Sequence, residues 1–118
     1  MSSRPETLRQ RAEFVRVQSQ GRKLKSRHLL LITLAGQADG VRFGITVSRR
    51  VGNAVIRNRV RRRIREIVRG QFALMPRGFD LVVVAFPEAA GAPFAVLNEE
   101  LTWLLTRTRD WASSRSSS

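Results

Sequence analysis

The chain predicts an α+β fold: one small domain, a four-stranded sheet packed with three helices in α-β-β-β-α-β-α order. Three observations predict it. Residues 48–69 carry apolar side chains at steps of three and four inside a heavily basic segment, the pattern of an amphipathic helix. An alternating segment, 41–48, precedes that helix, and an apolar run of strand length, FDLVVVAF at 79–86, follows it. A length of 118 residues suits one domain.

Each element has its own signal. A first helix is expected over about 6–19, with Leu8, Ala12, Phe14 and Val15 inward, Pro5 in its first turn and Gly21 at its end. Residues 22–25 read as a short edge strand and 28–34 as an apolar strand, followed by turn chemistry at 36–40. In 41–48, Val41, Phe43, Ile45 and Val47 share one face; Arg42, Gly44, Thr46 and Ser48 share an open, polar one. Gly44 leaves room for a close approach to the sheet.

Asn53 is a natural N-cap for the basic helix, which should end near Arg69 and Gly70. Ile56, Val60, Ile64, Ile67 and Val68 form its inward stripe. After a loop at 76–78 and the buried strand 79–86, Pro93 precedes a last helix over about 94–108. Leu97, Leu101, Leu104 and Leu105 face the core from it, and Trp103 and Trp111 are read as packing residues. The domain spans 1–111; the serine-rich tail, 112–118, is expected to be disordered.

Charge narrows the function. The net charge is +13, from 22 basic and 9 acidic residues, which calls for an anionic partner. Residues 48–69 hold nine arginines and a single acid, Glu66. A solvated helix face normally mixes signs, because like charges a turn apart weaken a helix. Only Lys23 and Lys25 are lysine; the other basic residues carry guanidinium, which makes forked hydrogen bonds to phosphate. RNA binding without catalytic consequence, DNA binding through a major groove, and a membrane-surface helix are the competing readings.

Catalytic chemistry finds little inventory. Cysteine and tyrosine are absent, His28 is the one histidine, and the acids are scattered without metal-pair spacing. His28 reads as structural. Asp80 and Glu88 read as turn or cap residues, and Glu99 and Glu100 as solvent-facing. No catalytic or metal-ligating residue is expected. The N-terminus lacks a signal-peptide core and no apolar run approaches a membrane span, so a cytoplasmic location without membrane attachment is expected.

The order VSRRVGNAVIRNRVRRRIRE, residues 47–66, resembles the signature of the bacterial ribonuclease P protein component. The paired Arg49-Arg50, Gly52-Asn53-Ala54-Val55, Arg57-Asn58-Arg59, Arg61-Arg62 and Arg65 stand in that family's spacing, and the flanking elements follow its order from about residue 10 to 111.

The resemblance implies a protein subunit that binds a catalytic RNA and the 5′ leader of precursor tRNA. The RNA carries the chemistry of leader removal. Magnesium is then expected in the RNA-containing holoenzyme, with no cofactor bound by the protein and no obligate protein partner. It implies Arg49, Arg50, Asn53, Arg57, Asn58, Arg59, Arg61, Arg62 and Arg65 as RNA-binding residues. It also implies a leader cleft, aromatic in the family at about three places. Phe14 matches one of these, and Gln18 and Ile32 stand at the other two. General rules favour a right-handed β-α-β crossover; the resemblance implies a left-handed one.

Overall fold

FDLVVVA, the most apolar run of the chain, forms a strand inside the sheet. The computed structural model describes residues 6–36 and 39–116, with side chains to residue 114. The strands are β1 (Glu6–Thr7), β2 (Arg22–Lys25), β3 (Leu29–Ala35), β4 (Arg42–Val47) and β5 (Phe79–Ala85). They form one mixed sheet in the order β1-β4-β5-β3-β2. β5 pairs parallel with β4 and antiparallel with β3, so every strand-forming group of its backbone has a neighbour. The helices are α1 (Arg11–Gln20), α2 (Ala54–Gly70) and α3 (Phe94–Ser116).

The period of two divides the sheet into two faces. Leu29, Leu31, Phe43, Val47, Leu81, Val83 and Ala85 face α2 and α3 in the main core. Ile32 and Val82 face α1 with Val17 and Leu8 in a smaller one. The stripe expected on the basic helix is the one that is buried: Val60, Ile64, Ile67 and Val68 lie at 0–2% exposure, with Ile56 half-buried at its start. Leu97, Leu101, Leu104 and Leu105 do the same for α3.

Among the described residues the strand count is five, not four, and the first helix starts later than expected. Glu6 and Thr7 pair with Arg42 and Phe43 instead of opening a helix. The Glu6 and Leu8 amides donate to the Val41 and Phe43 carbonyls at 2.8 and 2.7 Å, covering part of an otherwise open sheet edge. The Glu13 carboxylate then accepts the Gln10 amide at 3.0 Å and fixes the start of α1. These backbone hydrogen bonds, first from Gln10 and then from Arg9, hold the Glu13 carboxyl below its ordinary value. The inward face of α1 is therefore Phe14 and Val17; Ala12 and Val15 are exposed. Pro5 lies outside the described residues.

α3 also runs past its expected end at Thr108. Thr108 and Ala112 are buried one and two turns beyond Leu104 and Leu105, so the stripe continues and the helix with it, to Ser116. Residues 112–116 of the tail expected to be disordered are thus helical, and 117–118 lie outside the described residues. Trp111 packs edge-on to Phe79 at 6.0 Å and beneath the Arg22 guanidinium at 4.7 Å. Trp103 departs from the packing expectation: it is 46% exposed, with the Arg107 guanidinium 5.3 Å from its ring.

Two acids read as peripheral prove structural. Asp80 is 2% exposed, and its carboxylate accepts Arg42 at 2.8 and 3.0 Å and Arg16 at 3.3 Å. Hydrogen bonding to Asp80 raises the Arg42 guanidinium above its ordinary value, and Glu13 adds to this at 2.5 Å. The pairing follows from register, since Arg42 sits directly across from Asp80 on the face that α1 covers. Glu100 accepts the Ser26 hydroxyl at 2.6 Å and the His28 amide at 2.9 Å, and pairs with the His28 ring. Burial pushes the Glu100 carboxyl up, but the hydrogen bonds from Ser26 and His28 outweigh it and leave the group below its usual value. His28 is structural, as expected; Glu100 is not solvent-facing but ties the β2–β3 turn to α3.

Candidate nucleic-acid interface

The basic surface begins where β4 ends. Arg49–Val51 form one turn of 3₁₀ helix, anchored by Val51 at 5% exposure, which leaves Arg49 and Arg50 exposed. Gly52 follows with φ 157° and ψ −165°, a region almost confined to glycine. A Cβ there would meet the Ile56 side chain at 3.0 Å. That conformation delivers Asn53 as the N-cap of α2; its side chain accepts the Ile56 amide at 3.0 Å.

Along α2 the arginines divide by helical angle. Asn58, Arg62 and Arg69 form an exposed crest. Arg57, Arg61 and Arg65, four apart, form a flank; Arg61 and Arg65 overhang the edge of β4. Arg59 is exposed on the other side. Asn58 accepts from Arg61 at 3.1 Å, which orients that guanidinium. The Nε of Arg57 is buried without a hydrogen-bond partner. Arg63, left out of the expected binding set, donates to the Ala92 carbonyl at 2.9 Å and serves the fold.

Among the described residues no acid forms an ion pair with this surface. Among the described residues the ion pairs join Arg16 and Arg42 to Asp80, Arg42 to Glu13, and His28 to Glu100; none involves residues 49–69. Nine expected contact residues, Arg49, Arg50, Asn53, Arg57, Asn58, Arg59, Arg61, Arg62 and Arg65, thus lie on one continuous turn and helix.

The expected cleft residues are not all accessible. Phe14 is half-buried and packs on Gly44, where a Cβ would overlap its ring, so the close approach expected at Gly44 is made by the chain itself. Gln18 is half-buried and donates to the Thr46 hydroxyl at 3.3 Å. Ile32 is 2% exposed beneath α1 and cannot touch a ligand. One row further along the sheet, at the margin of the cluster under α1, Thr46, Val84, Leu30 and Lys25 stand in register across four strands. The first three are half-buried and Lys25 is exposed. This open row leads at its β4 end into Ser48, Arg49 and Arg50. Sequence reasoning missed it because its two apolar residues, Leu30 on β3 and Val84 on β5, are far apart in the chain; the strand register brings them together.

Among the described residues no group of three or more His, Asp or Glu side chains could hold a metal ion. No helix among them is long and apolar enough to cross a membrane.

A single α+β domain with an unneutralised arginine helix beside an open sheet row is a nucleic-acid-binding protein subunit in class. The profile of the family described as Ribonuclease P matches residues 2–109. The ribonuclease P protein component of Gluconacetobacter diazotrophicus is 45% identical over 103 residues, covering 86% of this chain and 89% of the relative. That of Acidothermus cellulolyticus is 38% identical over 113 residues, 94% of each. The solved ribonuclease P protein of Thermotoga maritima superposes with a TM-score of 0.79 at 32% identity, over 86% of this chain and 96% of that one. The Staphylococcus aureus protein superposes with a TM-score of 0.80 at 26% identity, over 89% and 96%. The chain belongs to the bacterial ribonuclease P protein family, the protein subunits of an RNA-containing endoribonuclease of tRNA processing.

Proposed function

We propose that the crest and flank of α2, with Arg49 and Arg50, bind the catalytic RNA of ribonuclease P. The open row Thr46–Val84–Leu30, rimmed by Phe14 and Gln18, receives the 5′ leader of precursor tRNA. The observation that carries this reading is the arginine surface without acid partners. A helix with so many like charges is stabilised when phosphates stand beside it. The protein lowers repulsion between two polyanions, the ribozyme and its substrate, and so favours magnesium binding by the RNA. Removal of the leader is then chemistry of the RNA and its magnesium, carried out in the cytoplasm.

The leader row departs from an aromatic cleft. Leu30 and Val84 offer apolar floor but no ring to stack on, so bases are held with little preference among them; Lys25, Arg49 and Arg50 hold the phosphates. Arg57 and Arg62 are the arginines we propose reach the substrate as well as the ribozyme.

The salt dependence of binding tests this reading. Each neutralised phosphate contributes a log–log slope of about −0.7 on a single strand and about −0.9 on a duplex. Several arginines acting together predict a slope of roughly −4 or steeper for the RNA subunit. A nearly flat titration would remove the basic face from the binding surface. Sequencing of the RNA that copurifies with the protein distinguishes the ribozyme from ribosomal RNA or DNA as the partner.

A further inference from the structure

We infer that a recess between α1, the edge of β4 and the arginine flank of α2 receives one unstacked nucleotide of the RNA subunit. The inference rests on the reading of α2 as the ribozyme-facing surface and adds a site to it. The recess has a volume of about 170 Å³ and is lined by Thr7, Leu8, Phe14, Phe43, Ile45, Arg61 and Arg65. That is smaller than the roughly 300–1,000 Å³ of a drug-sized ligand site and suits a single ring system.

Its existence follows from the shortness of β1. Pairing between β1 and β4 stops at Thr7 and Phe43, although β4 runs on to Val47. The chain leaves the sheet after the Leu8 amide has bonded the Phe43 carbonyl. By the period of two, the backbone groups of Ile45 point the same way as those of Val41 and Phe43, out of the sheet edge and into the recess. The walls are polar and apolar in equal part, with Leu8, Phe14, Phe43 and Ile45 supplying apolar side chains and Phe14 and Ile45 half-buried. Two guanidiniums stand at the rim, and no acidic side chain lines it.

This chemistry fits a nucleotide better than an apolar side chain. A ring enters against Phe14 and Ile45, its polar edge meets backbone N–H and C=O, and the flanking phosphate meets Arg61 and Arg65. The RNA subunit, not the leader, is the occupant because Arg61 and Arg65 belong to α2, and none of Thr46, Val84, Leu30 and Lys25 of the leader row lines the recess.

The test fills the recess from its exposed rim. Thr7→Trp places a ring in it from the exposed end of β1; Val15→Trp, which adds the same ring on the exposed face of α1 outside the recess, is the control. Affinity for the RNA subunit alone, and chemical probing of its nucleotides with each protein bound, are measured beside wild type, with melting curves confirming folding. The inference expects Thr7→Trp to bind about tenfold more weakly, with one nucleotide losing its protection, and Val15→Trp to match wild type. A second variant, Phe14→Leu, is expected to unprotect the same nucleotide. Wild-type affinity and an unchanged footprint with Thr7→Trp overturn the inference while leaving the proposed function standing. So does a loss seen only with leader-bearing precursor tRNA, which assigns the recess to the substrate. Failure of the wild-type protein to bind the RNA subunit at all overturns the proposed function itself.

Discussion

Ile64→Ala and Arg62→Ala, neighbours on one helix, are expected to fail in opposite ways. Ile64 is fully buried between α2 and the sheet, with Val60, Ile67 and Val68 around it. Truncation leaves a cavity that well-packed neighbours fill only in part, and stability falls by about 2–5 kcal/mol. RNA binding then falls only as the folded fraction does. Arg62 is exposed on the crest and has no ion-pair partner among the described residues. Its loss changes stability by no more than about ±0.5 kcal/mol, and relief of like-charge repulsion favours a small gain. Affinity for the RNA subunit drops and the salt slope becomes shallower by about one unit. Denaturant titration and RNA binding on both variants check the pair. An Arg62→Ala protein that unfolds beside an Ile64→Ala protein that melts normally would mean that the helix faces the other way.

Arg42→Met is expected to be as damaging to the fold as a core truncation. It leaves the Asp80 carboxylate, 2% exposed, with Arg16 alone at 3.3 Å. Removing one partner of a buried ion pair typically lowers stability by about 3–5 kcal/mol, chiefly because the other charge stays buried and unpaired. The double variant Arg42→Met with Asp80→Leu removes both charges and leaves apolar groups against Leu34 and Val82. It is expected to lose less than Arg42→Met alone, since a buried pair replaced by apolar groups is often close to neutral. Chemical denaturation of the single and double variants gives the coupling directly. A double variant that loses as much as the sum of the singles would show that the Asp80 network contributes by packing rather than by charge.

The faces of α2 were legible in the sequence because they depend only on local spacing. Val60, Ile64, Ile67 and Val68 are buried, and Asn53 caps the helix, as the three- and four-residue steps require. The arginine surface was legible for the same reason. What was not legible depends on partners distant in the chain. Glu6 and Thr7 look helical by pattern and become a strand because the edge of β4 needs pairing. Asp80 looks like a cap beside Gly78 and becomes the buried partner of Arg42, 38 residues away. Ile32 stands where an aromatic cleft residue was expected, and the packing of α1 over β3 buries it. The position of α3's end was hidden by serines in the tail, whose composition outweighed the single apolar signal at Ala112.

The central claim is that this chain supplies binding and electrostatics to a reaction whose chemistry belongs to RNA. Leader removal from precursor tRNA measures it most directly, with the RNA subunit alone, the protein alone, and the two together, at low and at high magnesium. The account predicts no cleavage by the protein alone, slow cleavage by the RNA alone at low magnesium, and much faster cleavage by the two together. Raising magnesium should narrow the gap between the RNA alone and the complex. Magnesium-dependent cleavage by the protein alone, or no gain over the RNA alone at low magnesium, would contradict it.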